Sequence, residues 1–399
     1  MVSVLKAWNT VFERFYCRDT NLLYDYVTDV SVNNWNHLPT PEEINSCIPN
    51  PRGWGTGMED SALNGGCLLE ALVSAYSLCG DETLRKTARN VAEGLLSLEM
   101  NGFVARSISP EDKKSFYPES SRDQYTHYIY ALLVYAQSKL CDDMYRERIK
   151  ASFVRIADKC ERDIVPENEY HLLRADGKIG IVGKMWGELG AHEWLRLSMF
   201  YLAAYRVSGM IHYKEMYEKY RDEAIEKSFL PMSSKRCYCY LQMQYAMRMI
   251  YDYESDETVK SKLMTLMRKN AEYGFKKSVE CSLEFTKPEH KQHLAYRFVK
   301  FDALEPLATS IEHGVHCYNT AQSERWNDNP AFYPVREVAE GAMLVALCPE
   351  EKIPEELIQA IQNMADAIDF DNYYSVYAPL LLPCAYISCI EKIRNTYAA

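Results

Sequence analysis

Residues 53–80 read GWGTGMEDSALNGGCLLEALVSAYSLCG, and their pattern is the strongest indication of the fold. From residue 60 to residue 79 its apolar side chains recur at intervals of three and four, the period of one face of an α-helix. Gly80 supplies a stop signal at the end of this pattern. Residues 81–100 repeat the periodicity but carry charged side chains between the apolar ones. The pair predicts a helical hairpin whose first helix is more buried than its second.

The same contrast recurs along the whole chain. The predicted apolar helices span residues 60–79, 123–140, 188–208, 238–253, 334–347 and 376–393. Their partners, most of them charged, span residues 4–16, 81–100, 144–163, 212–227, 258–275 and 355–370. An inner ring of buried helices inside an outer ring that faces water produces this alternation. We predict an all-α fold, an (α/α)6 toroid in which residues 1–399 form a single domain, with short strands in the loops 101–108 and 170–182. An irregular helical solenoid is the alternative.

A weak internal repeat supports the toroid. An Ala-Tyr pair followed four residues later by glycine occurs at residues 75–80 and again at residues 204–209, a separation of 129 residues. This separation equals two units of about 64 residues. Asp60, Asp123 and Glu188 are spaced by 63 and 65 residues, and each begins a predicted apolar helix. We therefore expect these three acids at equivalent places around one rim.

Composition and charge limit the class of ligand. The 399-residue chain is 47% hydrophobic and 25% charged, which is ordinary for a globular protein. Its net charge of −11 leaves no basic stripe to neutralise phosphates, so we expect no nucleic-acid partner. Neither a GxGxxG nor a Walker pattern occurs, and we expect no cofactor.

Cysteine usage and hydropathy bear on the compartment. The 13 cysteines are odd in number and scattered, which fits neither a disulfide framework nor a zinc site. Residues 1–16 carry charges among their apolar residues and lack the uncharged centre of a secretory signal. No run of about 18 uncharged apolar residues occurs, so we expect no membrane association. We expect a cytoplasmic protein, or a periplasmic one if a signal peptide has been removed. The sequence leaves the oligomeric state open.

The loop before the first inner helix, residues 53–61, combines glycines, an aromatic ring and two acids. Trp54 can stack on the C–H face of a sugar, and the glycines let a ligand approach the backbone. Asp60 also suits the N-cap of the helix, a frequent role of aspartate. We therefore expect Trp54 and Glu59 to bind substrate, and Asp60 to act in catalysis or to cap its helix.

The segment SSRDQYTHY, residues 120–128, places four polar groups at the start of the second inner helix. Asp123 and His127 share a helix face at positions i and i+4. Capping requires only one serine or aspartate and leaves this density of polar groups unexplained. We predict that Asp123 is catalytic and that Arg122, Gln124 and His127 bind substrate.

Two later segments contribute further candidate binding groups. Long connections over a rigid helical scaffold often form the walls of a binding site. His192 is followed by Glu193, but no second histidine lies at helical spacing, so we expect no metal site. A structural role for His192 is equally compatible with the sequence. The candidates are Trp186, Glu188, His192 and Glu193 in residues 184–194, and His313 and His316 in residues 312–319.

Together with the repeated hairpins, GWGTGMEDS and SSRDQYTHY resemble the six-hairpin glycosidase superfamily, which includes unsaturated glucuronyl and rhamnogalacturonyl hydrolases and related bacterial glycosidases. The likeness in architecture covers nearly the whole chain. It implies that Asp60 and Asp123 act as general acid and base at the N-termini of inner helices. It also implies a glycoside hydrolase whose partner is an oligosaccharide, with a uronic acid or unsaturated uronide, paired by Arg122, as one possibility.

Two other functions are compatible with the same features. A polysaccharide lyase or sugar epimerase on a similar toroid would use a tyrosine or histidine to remove a proton from the sugar ring. His313, His316 and Tyr318 would then matter more than Asp60. A non-catalytic toroid would bind carbohydrate or a protein partner and use its acids only as helix caps.

Overall fold

The computed structural model describes residues 1–27, 30, 35–287 and 332–398. Nearly all of its regular structure is helical, which confirms the all-α class. In chain order the α-helices are α1 (Val2–Thr10), α2 (Pro41–Asn45), α3 (Ser61–Cys79), α4 (Glu82–Ser97), α5 (Arg122–Gln137), α6 (Asp143–Asp163), α7 (Leu195–Ser208), α8 (Ile211–Lys227), α9 (Cys237–Tyr253), α10 (Glu257–Phe285), α11 (Phe332–Leu347), α12 (Glu355–Ala367) and α13 (Tyr377–Ala398).

Six of the described helices form a closed inner ring. In order of contact they are α3, α5, α7, α9, α11 and α13, and α13 packs back against α3. These helices are buried nearly all round; in α5, for example, every residue from 124 to 133 is buried. A helix that contacts protein on every side carries no polar face, which explains the apolar composition of these segments.

The outer ring consists of α1, α4, α6, α8, α10 and α12, each packed against the inner helices. α4 shows why these helices lie outside: it buries Ala88, Val91 and Leu95 along one side and exposes Lys86 and Arg89. Such an amphipathic helix is stable only with one face on the core and the other in water. The two concentric rings confirm the predicted (α/α)6 toroid.

One inner helix begins later than the sequence predicts. We predicted a helix over residues 188–208, whereas α7 begins at Leu195. Gly187 has a φ of 90°, a conformation that favours glycine. The N–H of Gly190 donates to the Glu193 carboxylate at 2.7 Å, which holds these residues in a turn. Glu188 therefore lies in an exposed loop, and it is not equivalent to the acids that precede or begin α3 and α5.

Strands within the described residues are limited to two antiparallel pairs of two residues each. Glu99–Met100 pairs with Phe103–Val104 at the predicted connection after α4. Tyr16–Cys17 pairs with Leu22–Leu23, where the sequence predicts no strand. Residues 170–182 are fully described and form no regular strand, contrary to expectation.

The internal repeat marks equivalent helix ends. α3 stops before Gly80 and α7 stops before Gly209, and these glycines have left-handed φ values of 67° and 70°. In each case the glycine N–H donates at 2.8 Å to the carbonyl of the tyrosine four residues earlier. Glycine is favoured there because a Cβ strains the left-handed conformation.

By length and composition, one described helix, α3, could cross a membrane. In the structure, 67% of its most apolar window is buried inside the protein. Because α3 belongs to the inner ring, contacts with protein on all sides account for its composition.

The inner helices α3 and α5 approach most closely at a glycine. A Cβ on Gly66 would lie 2.8 Å from the carbonyl oxygen of His127, which is backbone of α5. A Cβ on the neighbouring Gly65 would meet only the side-chain end of Leu95, at 3.0 Å. A leucine side chain can rotate, whereas the backbone of a packed helix cannot move alone. Gly66 therefore sets the spacing between α3 and α5.

We expect Gly66→Ala to destabilise the protein by about 1–3 kcal/mol, because the added methyl group overpacks a helix contact. Gly65→Ala gains the same helix propensity of about 1 kcal/mol without that clash, and should be neutral or stabilising. Urea denaturation of the two variants measures the difference. Equal effects of the two substitutions would contradict the role given to Gly66.

Candidate active site at the inner-helix N-termini

Polar side chains from the starts of the inner helices meet at one rim of the ring. Hydrogen bonds and contacts between guanidinium groups and aromatic rings connect each helix to the next around the full circle. We call these residues the rim network. Its members are Asp60 before α3, Asp123 and Gln124 in α5, Arg196 in α7, Tyr238 and Gln242 in α9, Arg336 in α11, and Tyr377 in α13.

Asp60 occupies the N-cap position of α3, but across the described residues its side chain makes no capping hydrogen bond to the helix. Its Oδ1 accepts from Nε2 of Gln124 at 2.6 Å and from Nη1 of Arg106 at 3.4 Å. Its Oδ2 accepts from the hydroxyl of Tyr377 at 2.5 Å. The side chain is 19% exposed. Asp60 therefore directs its carboxyl group into the rim, and a capping role does not account for it.

Asp25 holds the backbone next to Asp60 in place. Its Oδ2 accepts from the N–H groups of Glu59 and Asp60 at 2.6 and 3.0 Å, and its Oδ1 accepts from Nδ2 of Asn64 at 2.7 Å. The side chain is fully buried, and this burial, with the nearby Asp60 and Glu59 carboxylates, raises the pKa of Asp25 well above its usual range. Sequence analysis missed Asp25, because no motif surrounds it and its partners lie more than thirty residues away.

The loop before α3 is closed by its own polar groups. Glu59 is buried, and its Oε1 accepts from the N–H of Gly55 at 2.7 Å. Trp54 is half-buried, with the guanidinium carbons of Arg52 and Arg106 at 3.8 and 5.7 Å from a ring centroid. Glu59 thus shapes the loop, while Trp54 is the aromatic group with partial exposure beside Asp60.

Asp123 is more exposed than Asp60, with 34% of its side chain accessible to water. Nη1 of Arg196 donates to its Oδ1 at 3.0 Å, and Nη2 of the same arginine donates to Oε1 of Gln242 at 2.7 Å. Burial acts to raise the pKa of Asp123, but Arg196 and Arg122 outweigh it and lower this pKa to about 2. Asp123 is therefore ionised at neutral pH.

Arg122 and His192 lie beside Asp123, and Arg122 already forms hydrogen bonds with other groups of the protein. Arg122 donates through Nη2 to Glu193 and through Nη1 to the carbonyl of Lys184 at 2.7 Å. Burial and the charge of Arg196 lower the pKa of His192 to about 4, so its ring is neutral at pH 7. Nδ1 of His192 is buried and finds no hydrogen-bond partner in the described part of the chain.

Sequence analysis also missed the contribution of α11. We predicted residues 334–347 only as an apolar helix, but Arg336 and Glu340 form a buried ion pair on it. The guanidinium carbon of Arg336 lies 5.0 Å from the ring centroids of both Tyr238 and Tyr377. The signal in the sequence is an arginine and a glutamate spaced i and i+4 within an otherwise apolar helix.

His127 lies inside the ring rather than at the rim. Its position one turn after Asp123 carries it about 6 Å further along α5. It is 4% exposed, its Nδ1 is 3.5 Å from Sγ of Cys67, and burial lowers its pKa to about 3. In this structure His127 packs the interior and offers no surface to a ligand.

Trp186 and Glu188, which were also predicted to bind substrate, contact no member of the rim network among the described residues. Trp186 packs edge-on against Trp194 and against Tyr220 of the outer helix α8. Glu188 lies in the exposed loop before α7. The predicted residues His313 and His316 fall outside the described residues. Within the described ranges, no group of three or more histidine, cysteine, aspartate and glutamate side chains is arranged to hold a metal ion.

Comparison with known proteins gives a likeness to solved structures alone. No protein-family model and no curated protein matches the sequence. The chain is similar to the GH76A α-1,6-mannanase of Salegentibacter sp. HEL1_6, with a TM-score of 0.48 and 10% identity over 99% of this chain and 98% of that one. An inactive double variant of that mannanase in complex with α-1,6-mannotetrose gives a TM-score of 0.47 and 11% identity over 98% of both chains. A second inactive double variant, in complex with α-1,6-mannotriose, gives 0.48 and 10% over 98% of both chains. This likeness concerns the fold and says nothing about the residues of the rim network.

The lowered pKa of Asp123 predicts a pH-dependent stability. A carboxyl group whose pKa is lower in the folded state stabilises the protein above its unfolded pKa, near 4, and loses this contribution as the pH falls toward 2. At pH 7 we expect Asp123→Asn to cost on the order of 1–2 kcal/mol, allowing for the exposure of the side chain. The gap between wild type and variant should narrow as the pH falls from 6 to about 3.

Urea midpoints measured at several pH values test this expectation. Asp143→Asn is the matched control, because Asp143 is 97% exposed and pairs only with Arg146 one turn later. Its difference from wild type should stay near zero throughout. A gap for Asp123→Asn that is constant with pH would show that the pairing with Arg196 does not stabilise the ionised form.

Proposed function

We propose that this protein is a glycoside hydrolase that cleaves a neutral oligosaccharide at the rim network. One observation carries the proposal: Asp60 and Asp123 lie at the starts of neighbouring inner helices, and both direct partly exposed carboxyl groups into the rim. Glycosidic cleavage generally uses two carboxyl groups that flank the scissile bond. Half-buried Trp54 is linked to Asp60 through Arg106, which contacts both, and an indole ring is a group on which sugars stack.

The pairing of the arginines at the rim favours a neutral sugar over a uronide. Binding a substrate carboxylate requires a cation that is free to form charge-assisted hydrogen bonds. Removing one partner from a buried ion pair costs about 3–5 kcal/mol, so committed arginines are poor candidates. Three arginines at or next to the rim each have a carboxylate partner: Arg106 with Asp60, Arg122 with Glu193, and Arg196 with Asp123.

The two carboxyl groups receive different roles in this proposal. The pKa of Asp123 is about 2, so Asp123 cannot carry a proton at neutral pH and serves as the base or nucleophile. Asp60 is the second carboxyl group at the rim and is partly exposed, and the proposal gives it the remaining role, proton delivery to the leaving oxygen.

A product-resolved screen against natural oligosaccharides tests the proposal. The panel includes neutral oligosaccharides, among them α-1,6-linked mannotriose and mannotetraose, together with saturated and unsaturated uronides. We expect shorter sugars from a neutral member and no products from the uronides. An isomer without cleavage, or an ultraviolet-absorbing unsaturated product, would identify an epimerase or a lyase and overturn the hydrolase proposal. Binding without turnover would identify a non-catalytic toroid.

Variants of the two aspartates test the assigned roles. Asp60→Asn and Asp123→Asn should each lower kcat by at least about 100-fold, the usual contribution of general acid–base catalysis. Their melting temperatures should stay within a few degrees of wild type, since each asparagine keeps the shape of the side chain. Asp143→Asn should retain full activity.

An aryl glycoside with a good leaving group separates the roles further, because its departure needs no proton. Such a substrate should restore much of the activity of Asp60→Asn and none of the activity of Asp123→Asn. The reverse pattern would exchange the two assignments. Unchanged turnover in both variants would place the chemistry elsewhere.

A second candidate function, proton abstraction from a sugar ring, is favoured by His192. Its ring is neutral at pH 7, and in the described chain its Nδ1 has no hydrogen-bond partner. His192→Gln distinguishes the two functions, because it should abolish an epimerase but alter only substrate affinity in a hydrolase.

A further inference from the structure

The ion pair between Arg336 and Glu340 has an unusual geometry. Both side chains are buried on α11, with 8% and 2% exposure, and are one helical turn apart. Nε and Nη2 of Arg336 both donate to the same oxygen, Oε1 of Glu340, at 2.9 and 2.6 Å. The second oxygen, Oε2, is buried and accepts no hydrogen bond from any described residue. Leaving a carboxylate oxygen buried and unpaired is costly, and adding a proton to Glu340 reduces that cost.

The pair is connected to Asp60 through one intermediate side chain. The guanidinium carbon of Arg336 lies 5.0 Å from the ring centroid of Tyr377, within the range of a cation–π interaction. The hydroxyl of Tyr377 donates to Oδ2 of Asp60 at 2.5 Å. A contact path thus runs from Glu340 on α11 through α13 to the start of α3.

The charges around Glu340 come from several elements. On α11 itself, Arg336 attracts and Glu337 repels its carboxylate. Asp60 at the start of α3 repels it, and the buried thiols of Cys237 on α9 and Cys67 on α3 also face it. Burial is the largest influence, and despite the opposing effect of Arg336 it raises the pKa of Glu340 to about 7.

We propose that Glu340 is a positioning residue that controls the charge beside Asp60 through Arg336 and Tyr377. When Glu340 is protonated, the pair of Arg336 and Glu340 carries a net positive charge next to Tyr377, which strengthens the hydrogen bond from the Tyr377 hydroxyl to Asp60. When Glu340 is ionised, the pair is neutral and this support is withdrawn. The catalytic consequence rests on the proposed function, whereas the coupling of charge to Asp60 does not.

The coupling is tested with the carboxyl 13C resonance of Asp60, observed in protein labelled at aspartate and assigned by its absence from Asp60→Asn. In wild type this resonance should shift with an inflection near pH 7, caused by Glu340. The inflection should be absent from Glu340→Gln, in which the side chain keeps its shape but cannot ionise. An inflection near pH 7 that persists in Glu340→Gln would overturn the proposal.

Glu70 provides a matched control. It is buried in α3, nine residues beyond the helix start, accepts from the hydroxyl of Tyr245 at 2.8 Å, and burial raises its pKa to about 7 as well. It contacts no member of the rim network in the described residues. Glu70→Gln should therefore leave the inflection of the Asp60 resonance intact. Loss of the inflection in Glu70→Gln would assign it to Glu70 and overturn the proposal.

Thermal stability supplies a second measurement that needs no substrate. A carboxyl pKa raised by folding gives stability that is complete below the unfolded pKa of 4.5 and is lost as the pH rises through about 7. The difference in melting temperature between each variant, Glu340→Gln or Glu70→Gln, and wild type should shift in favour of the variant as the pH rises from 5 to 8. A difference for Glu340→Gln that is constant over this range would mean that Glu340 does not hold its proton in the folded protein.

If Glu340→Gln fails to fold, Tyr377→Phe tests the same path, and it should reduce the inflection of the Asp60 resonance near pH 7 by more than half. An unchanged inflection in that variant would remove Tyr377 from the proposal.

With an active substrate, kcat of wild type and of Glu70→Gln should fall above pH 7. Glu340→Gln should lack this fall in kcat, with KM unchanged. An inactive protein that keeps the Asp60 inflection would contradict the proposed function alone.

Discussion

The hydrogen bond from Tyr377 to Asp60 closes a circle on which the arrangement of this protein depends. Each inner helix begins at the same rim, so each brings backbone N–H groups without a partner inside the helix, and a positive helix end, to one place. Acidic side chains are stabilised there, and Asp60 and Asp123 occupy such positions. Without Tyr377 the network would remain open between the last helix and the first. The ring and the candidate site therefore share one set of contacts.

Burying charges at the rim is acceptable only because they are paired. An isolated arginine in the low-dielectric interior would cost many kcal/mol, and each arginine at or next to the rim meets a carboxylate instead. The same pairing gives the carboxyl groups different properties. Asp123 accepts a hydrogen bond from Arg196 and lies near the charge of Arg122, and its pKa falls to about 2. Glu340 sees one arginine in a dry setting, and its pKa rises to about 7.

The proposal of a neutral substrate follows from the same balance. Arg122 is the arginine that the sequence suggests for a uronate, yet it is held by Glu193 and by the carbonyl of Lys184. In the described part of the rim, the paired arginines leave hydroxyl, amide and aromatic groups, which supports the proposal of a neutral sugar.

The two helical rings and two of the acids at their rim could be predicted from the sequence. Helical periodicity and the alternation of apolar with charged segments depend on local spacing, and they predicted every inner helix, although α7 begins seven residues later than residue 188. Asp60 and Asp123 were predicted because each lies where a polar loop meets an apolar helix.

Which other side chains lie next to Asp60 and Asp123 depends on the tertiary packing of the helices. His127 has the helical spacing of a site residue but is carried one turn into the interior, while Asp25, Arg336 and Glu340 reach Asp60 or its neighbours from distant segments. Periodicity reports which face of a helix is buried. It carries no information on which buried groups from different helices will meet, because that depends on how the ring closes.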